Sequence, residues 1–174
     1  MMTEKGKAVT EADALRRLQT LCAKSEHSSG EMLDKMRRWQ LPEEAQARVM
    51  ETLFAGRYID DQRFTEAFVH DKVAFNGWGR RKIEQALWQK RVDERVARAV
   101  LDGVDDEEYL RALRPLLRQK YRSVKVGSDY ERSMKLIQYA LSRGFTIDLV
   151  RQGVDELTRE LAEEGEEIGD FCDF

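Results

Sequence analysis

Positively charged side chains are concentrated in two stretches of this sequence, and both are candidates for binding phosphate groups or acidic protein surfaces. The first stretch surrounds the segment Gly77-Trp78-Gly79, and the second runs from Arg111 to Lys125, where acidic residues are scarce. This scarcity favours a binding face over a surface of mutually paired charges. The candidate cations are Lys72, Arg80, Arg81, Lys82, Lys90 and Arg91 in the first stretch and Arg111, Arg114, Arg118, Lys120, Arg122 and Lys125 in the second.

Trp78 lies between two glycines, directly before the basic helix of the first stretch. Two interpretations of this tryptophan are open. In one, the ring is an interface anchor or a platform on which nucleic-acid bases stack. In the other, the ring packs over the junction of its own helices. We include Trp78 among the candidate binding residues.

The acidic pair Asp60 and Asp61 is of a type that can hold a metal ion or perform acid–base chemistry, but each residue has a simpler structural role. Asp60 suits the N-cap of a helix, and Asp61 suits the positive end of the helix dipole. His27 and His70 are isolated, and the sequence has no phosphate-binding glycine loop, nucleophile elbow or metal-ligand spacing. We therefore predict no catalytic residue, no metal site, no cofactor and no enzymatic activity.

The elements that position these side chains follow a pattern that occurs three times. Leu41, Val92 and Phe145 lead the three copies, which start 51 and 53 residues apart (41 to 92 and 92 to 145). A period of about 50 residues has room for three helices. Apolar residues recur at fixed positions before and after each leading residue, with the spacing of helix faces that pack on a core.

Helix caps mark the first helix of each copy, because Thr10, Asp60 and Asp105 have side chains that accept hydrogen bonds from free backbone amides. Pro115 lies inside the first helix of the third copy and is expected to kink or split it. The sequence thus predicts an all-α fold of three tandem three-helix repeats in an elongated or curved array. The predicted boundaries are 10–56, 57–103 and 104–160, with an acidic C-terminal tail at 161–174.

The net charge of −3 conceals an uneven distribution of charge. Residues 155–174 contain nine acidic residues and one basic residue, a sum of −8, so the preceding residues carry −3 + 8 = +5. Such a tail either competes for the cationic surface of the body or serves as a solvated extension. No stretch approaches the roughly 20 apolar residues of a membrane span, and the first ten residues lack an apolar signal core. We expect a cytoplasmic protein without a membrane segment.

Two segments of the second copy together resemble the RecX family. The first is Tyr58-Ile59-Asp60-Asp61-Gln62-Arg63-Phe64, and the second is Gly77-Trp78-Gly79-Arg80-Arg81-Lys82-Ile83-Glu84-Gln85-Ala86-Leu87. The segment Ala140-Leu141-Ser142-Arg143-Gly144-Phe145 is similar to the C-terminal repeat of that family. Arg91 departs from the pattern, since the family often has glycine there. An arginine in a left-handed conformation after a helix costs about 1 kcal/mol.

The resemblance implies a regulatory protein that has no enzymatic activity of its own. It implies binding along the helical groove of the RecA filament on single-stranded DNA, with lowered strand exchange, ATP hydrolysis and coprotease activity of RecA. Weak direct DNA binding and a monomeric state are further expectations. The family motif falls on residues that we expect to be mainly structural, namely Tyr58, Ile59, Asp60, Asp61, Phe64, Gly77 and Gly79.

Two alternatives stay open at this point. Three-helix units can resemble helix-turn-helix modules, so the chain is alternatively a DNA-binding protein that acts without RecA, although the modest charge of its body argues against this. It is otherwise a helical adaptor unrelated to DNA. The first copy is the least basic and the least family-like, so we expect the function on the second and third copies. The sequence leaves open whether RecA is inhibited or stimulated, and whether filament ends are capped or the groove is coated.

Overall fold

A computed structural model describes residues 7–125 and 127–170 of the chain. These residues form nine α-helices and no β-strand, so the predicted all-α repeat fold is confirmed. None of the helices in this described part is long and apolar enough to cross a membrane. In chain order the helices are α1 (Glu11–Lys24), α2 (Ser29–Arg38), α3 (Glu43–Ala55), α4 (Asp61–Ala74), α5 (Arg80–Gln89), α6 (Glu94–Asp102), α7 (Asp106–Ser123), α8 (Asp129–Ser142) and α9 (Ile147–Asp170).

The helices begin where the sequence supplies capping side chains. The Thr10 hydroxyl accepts a hydrogen bond from the backbone N–H of Asp13 at 3.1 Å, and an Asp60 carboxylate oxygen accepts one from Arg63 N–H at 3.0 Å. Asp105 is the N-cap of α7. These bonds satisfy backbone donors that have no partner inside a helix. The three predicted caps are therefore confirmed as the starts of α1, α4 and α7.

Pro115 does not split its helix, because α7 runs without interruption from Asp106 to Ser123. The apolar residues on both sides of the proline, Leu113 and Leu117, are fully buried. Their burial offsets the lost backbone donor and the clash with the preceding turn. The expected split is therefore wrong for this helix.

The described residues divide into two compact units. Unit 1 contains the residues up to Phe68 together with Ala86–Val100, and unit 2 contains Val69–Gln85 together with the residues from Leu101 onward. The division falls inside α4, α5 and α6, so these units do not coincide with the three predicted repeats, whose boundaries stay predictions. The core of unit 1 includes Leu18, Met32, Met36, Leu53 and Ile59, and that of unit 2 includes Leu110, Leu113, Leu117, Phe145 and Val150.

Unit 1 contains a close junction between the start of α2 and the end of α5. The Ser28 hydroxyl donates to the backbone oxygen of Lys90 at 2.7 Å, and a Cβ added at Gly30 would come within 3.0 Å of Lys90 and Arg91. Arg91 has a φ of 57°, so this arginine adopts the left-handed conformation in which the family often has glycine. Gln40, which leads into the first copy of the repeat, has the same φ of 57°.

Unit 2 contains the equivalent junction between the start of α5 and the end of α8. Gly79 N–H donates to the backbone oxygen of Arg143 at 2.9 Å, and Arg81 N–H donates to that of Gly144 at 3.0 Å. Gly144 has a φ of 92° and abuts Lys82, so the glycine stands where the turn requires a left-handed residue without a Cβ. This junction fixes the start of the basic helix α5 in unit 2.

Asp61 lies at the positive end of the α4 dipole, and its side chain also connects α4 to α2 in unit 1. Its carboxylate accepts hydrogen bonds from the backbone N–H of Ser29 at 2.8 Å and from the Ser29 hydroxyl at 2.5 Å. The first of these bonds satisfies a free amide at the N-terminus of α2. Both residues are partly buried. This geometry is compatible with the structural role that the sequence predicts for Asp61. The sequence pattern did not indicate its partner, Ser29.

We expect Asp61→Ala to lower the free energy of unfolding by about 2 kcal/mol, because it removes two charge-assisted hydrogen bonds. Asp60→Ala, which removes a single N-cap bond, is expected to cost about 1 kcal/mol. Urea unfolding followed by circular dichroism measures both variants against the parent chain. Equal losses for the two variants would contradict the role of Asp61 at the start of α2.

Candidate functional site

Trp78 lies at the start of α5 in unit 2 and has two lysines over its ring. The Nζ atoms of Lys72 and Lys82 are 4.8 Å and 4.5 Å from the ring centroid. The backbone N–H of Trp78 donates to the backbone oxygen of Lys72 at 2.9 Å, and the preceding Gly77 has a φ of 61°. Cations over an aromatic face are attracted by the ring quadrupole. The ring is half-buried, so it holds the two lysines together at this surface.

Arg143 extends this arrangement from the end of α8. Its Nε donates to the backbone oxygen of Gly77 at 3.0 Å, and another guanidinium nitrogen donates to that of Asn76. The guanidinium carbon is 5.8 Å from the ring centroid of Tyr139, and Lys120 Nζ is 5.2 Å from the same centroid. We call this set the cation–aromatic cluster, which consists of Lys72, Trp78, Lys82, Lys120, Tyr139 and Arg143.

Four cations in or beside the cation–aromatic cluster have no carboxylate oxygen within 4.0 Å of their nitrogens in the described part of the chain. Three of them, Lys82, Lys120 and Arg143, belong to the cluster, and the fourth is the exposed Arg81 beside Lys82. A cation that lacks an internal counter-ion keeps its attraction for an external anion. The cluster is thus the part of the predicted cationic surface that is best placed to bind.

Three candidates of the first stretch that lie outside the cluster, namely Arg80, Lys90 and Arg91, form ion pairs with acidic side chains. Arg80 contacts Glu84 at 2.9 Å and Asp102 at 2.6 Å. The remaining two pairs lie in unit 1, where Lys90 contacts Glu31 at 2.5 Å and Arg91 contacts Asp34 at 3.3 Å.

Lys90 has a structural environment in unit 1. Its Nζ lies 5.9 Å and 5.8 Å from the ring centroids of Phe64 and Phe68, which stack on each other at 5.6 Å. Burial opposes ionisation of Glu31, but hydrogen bonds from Lys90 and from the backbone of Ser28 outweigh it and lower the pKa of that carboxyl. The pair therefore ties α5 to the capping box at the start of α2.

The second cationic stretch obtains its acids from other parts of unit 2. Arg114 contacts Glu107 at 2.6 Å and Glu156 at 2.8 Å, and Arg118 contacts Glu160. The hydrogen bonds from Arg114 lower the pKa values of the Glu107 and Glu156 carboxyls, so both remain ionised at neutral pH. The exposed residues Arg111, Arg122 and Lys125 have no such ion pair in the part of the chain that the structure describes.

The family-motif residues have mixed environments. Ile59 and Phe64 are buried in unit 1, whereas Tyr58 is 36% exposed. Gly77 and Gly79 are buried in unit 2 and border the Trp78 turn.

Across the described ranges 7–125 and 127–170, no group of three or more His, Cys, Asp or Glu side chains is arranged to hold a metal ion. The surface offers binding chemistry, carried by unpaired cations and aromatic rings.

Sequence reasoning missed Arg143 and Tyr139 as members of the site. Arg143 stands in the segment that resembles the family's C-terminal repeat, and Tyr139 lies four residues before it. Residues four apart are neighbours on a helix surface, so this spacing could have indicated that the two side chains belong to one site. The bonds from Arg143 to Asn76 and Gly77 span more than sixty residues and leave no trace in a local pattern.

Comparisons with known proteins identify related sequences and folds. Family models described as the second and third three-helix domains of RecX match residues 60–101 and 106–154. The regulatory protein RecX of Thermobifida fusca is 26% identical over 167 residues, which are 94% of this chain and 89% of the relative. The regulatory protein RecX of Clostridium botulinum (strain Alaska E43 / Type E3) is 29% identical over 88% of this chain and 74% of the relative. The crystal structure of RecX from Lactobacillus salivarius superposes with a TM-score of 0.79 at 19% identity, covering 85% of this chain and 96% of the other.

Proposed function

Because this chain belongs to the RecX family, we propose that it binds the RecA nucleoprotein filament on single-stranded DNA and inhibits RecA. The activities lowered are strand exchange, ATP hydrolysis and coprotease activity. In this proposal the chain acts as a cytoplasmic monomer without a catalytic residue or cofactor. The repeats that carry the function are residues 57–103 and 104–160.

The cation–aromatic cluster is the observation that supports this function best. Lys82, Lys120 and Arg143 have no carboxylate partner in the described residues and lie against Trp78 and Tyr139. A nucleoprotein filament presents DNA phosphates and acidic protein surface, and both attract unpaired cations. Partly exposed aromatic rings supply apolar contact area beside the charges.

Inhibition follows if the chain contacts neighbouring RecA protomers at once. A ligand that bridges two protomers opposes the shifts between them that ATP turnover and strand exchange require. Its effect is limited by the difference between its affinities for the two filament states. The chain therefore has to bind the inhibited arrangement more tightly than the active one.

The DNA-dependent ATPase activity of the cognate RecA tests this proposal. We expect the hydrolysis rate to fall with increasing concentration of this chain and to reach a low plateau. Single-stranded DNA is kept in excess, so that the loss cannot arise from DNA withdrawn by direct binding. An unchanged rate at saturating protein would contradict the proposed function. Inhibition that disappears in excess DNA would favour the alternative of a DNA-binding protein that acts without RecA.

A further inference from the structure

Two arginines of α7 and two glutamates of α9 form matched pairs in unit 2. Arg114 Nε lies 2.8 Å from Glu156 Oε2, and Arg118 contacts Glu160. Each pair of like charges is four residues apart, which places its members one helical turn from each other. The four side chains line a shallow groove together with Gly153 and Leu157.

The backbone of α9 is held in place beside this groove. Val150, Val154 and Leu157 are buried, and a Cβ added at Gly153 would lie 2.9 Å from Leu117 Cδ1. The charged ends remain accessible, because the Arg118 and Glu160 side chains are 48% and 44% exposed. An external anion can therefore replace the carboxylates by rotation of side chains, without removal of the helix.

The paired arginines belong to a longer line of cations on α7 and just after it. The line consists of Arg111, Arg114, Arg118, Arg122 and Lys125, with successive spacings of three, four, four and three residues. This spacing keeps the members that lie in the helix on one face, and Arg111 to Arg122 spans about 17 Å at 1.5 Å per residue. Arg111, Arg122 and Lys125 have no carboxylate partner within the described residues. A line of charges fits a linear polyanion better than a compact acidic surface.

We propose that this line is a binding face for the phosphate backbone of nucleic acid, and that Glu156 and Glu160 occupy its centre in the free chain. The carboxylates of α9 stand in for phosphates and lower the affinity of the face for DNA. Guanidinium groups bind phosphate in the same bidentate geometry as carboxylate, so the exchange conserves the hydrogen bonds of the arginines. One part of this proposal rests on the proposed function, namely that the nucleic acid bound by this face belongs to a nucleoprotein partner.

The acidic residues of α9 supply a matched pair of variants for the test. Glu156→Gln/Glu160→Gln removes the two α9 carboxylates that contact the arginines, while Glu107 of α7 still contacts Arg114 at 2.6 Å. Glu163→Gln/Glu164→Gln removes the same charge from two exposed residues of the same helix that have no ion pair in the described chain. Fluorescence anisotropy with a fluorescein-labelled oligothymidylate measures DNA affinity without RecA.

We expect Glu156→Gln/Glu160→Gln to raise the affinity about threefold to tenfold, since the α9 carboxylates no longer compete with phosphate, and Glu107 alone competes at Arg114. The control variant is expected to change the affinity less than about twofold, because screened charges act weakly at a distance. The salt dependence of the first variant should steepen by roughly 0.7 in log–log slope, for one added phosphate contact at Arg118, because Arg114 keeps its ion pair with Glu107.

Equal gains for the two double variants would overturn the proposal, since the effect would then come from net charge alone. A gain that persists when Arg114→Gln and Arg118→Gln are added would overturn it as well. If the first double variant does not fold, Glu160→Gln alone replaces it, because Glu160 is half-exposed and its one ion pair among the described residues is with Arg118. Failure of the proposed function is seen separately, as an unchanged RecA ATPase rate with the parent chain.

Discussion

Gly79→Ala is expected to lower the free energy of unfolding by about 3 kcal/mol, the largest effect of any single substitution considered for this chain. A Cβ at this position would come within 3.0 Å of backbone atoms of Gly144 and Phe145. Backbone atoms cannot turn away as a flexible side chain does, so α5 or the end of α8 would have to shift. The shift would weaken the hydrogen bond from Gly79 N–H to the backbone oxygen of Arg143.

Gly165→Ala is the control for this substitution, because a Cβ at Gly165 in α9 would have nothing within 4 Å. Alanine has the higher helix propensity, so this variant is expected to be as stable as the parent or up to about 1 kcal/mol more stable. Urea unfolding followed by circular dichroism compares the two variants. Unfolding midpoints that agree would show that the junction between α5 and α8 does not require glycine.

The local features of this fold were predictable from the sequence because they depend on residues close together in the chain. Thr10 and Asp60 cap helices through amides three residues away. The recurring apolar positions predicted the buried faces, because Met32, Ile83 and Leu136, each nine residues before a leading residue, are buried. Short-range hydrogen bonds and helix periodicity were enough for this part of the fold.

The site was less predictable because charge pairing depends on tertiary structure. Arg114 and Arg118 stand in an acid-poor stretch, yet their partners Glu156 and Glu160 come from α9, 42 residues later. The role of Asp61 at the start of α2 depends on Ser29, 32 residues before it. Sequence spacing identified the cations, but only the packing of helices shows which of them lack a counter-ion. The acidic tail predicted for 161–174 is helical as far as Asp170, and its last four residues lie outside the described part.

Arg81→Gln/Lys82→Gln is expected to weaken binding to the RecA filament about tenfold to hundredfold. Neither side chain has a carboxylate partner in the described residues, so each contributes its full charge to an external anion. The minority of interface residues whose truncation costs more than about 1 kcal/mol is enriched in arginine, and tenfold in affinity corresponds to about 1.4 kcal/mol. Glutamine keeps the Cβ of Lys82 beside Gly144, so the junction between α5 and α8 is retained.

Lys24→Gln/Arg38→Gln removes the same charge from unit 1 and serves as the control. Both residues are exposed and have no ion pair in the described residues. They belong to the first repeat, which we predict to contribute least to function. We expect this variant to bind the filament within about twofold of the parent chain, because a screened surface charge outside the interface has little effect.

Equilibrium binding of the labelled chain to RecA filaments on single-stranded DNA, with the same DNA without RecA in parallel, tests whether the chain is directed to RecA. We expect the parent chain to bind the filament more tightly than bare DNA. We expect this preference to be lost for Arg81→Gln/Lys82→Gln and kept for Lys24→Gln/Arg38→Gln. Equal affinity for filament and bare DNA would contradict a RecA-directed function. Equal binding by the two double variants would contradict the assignment of that function to the cation–aromatic cluster and its neighbour Arg81.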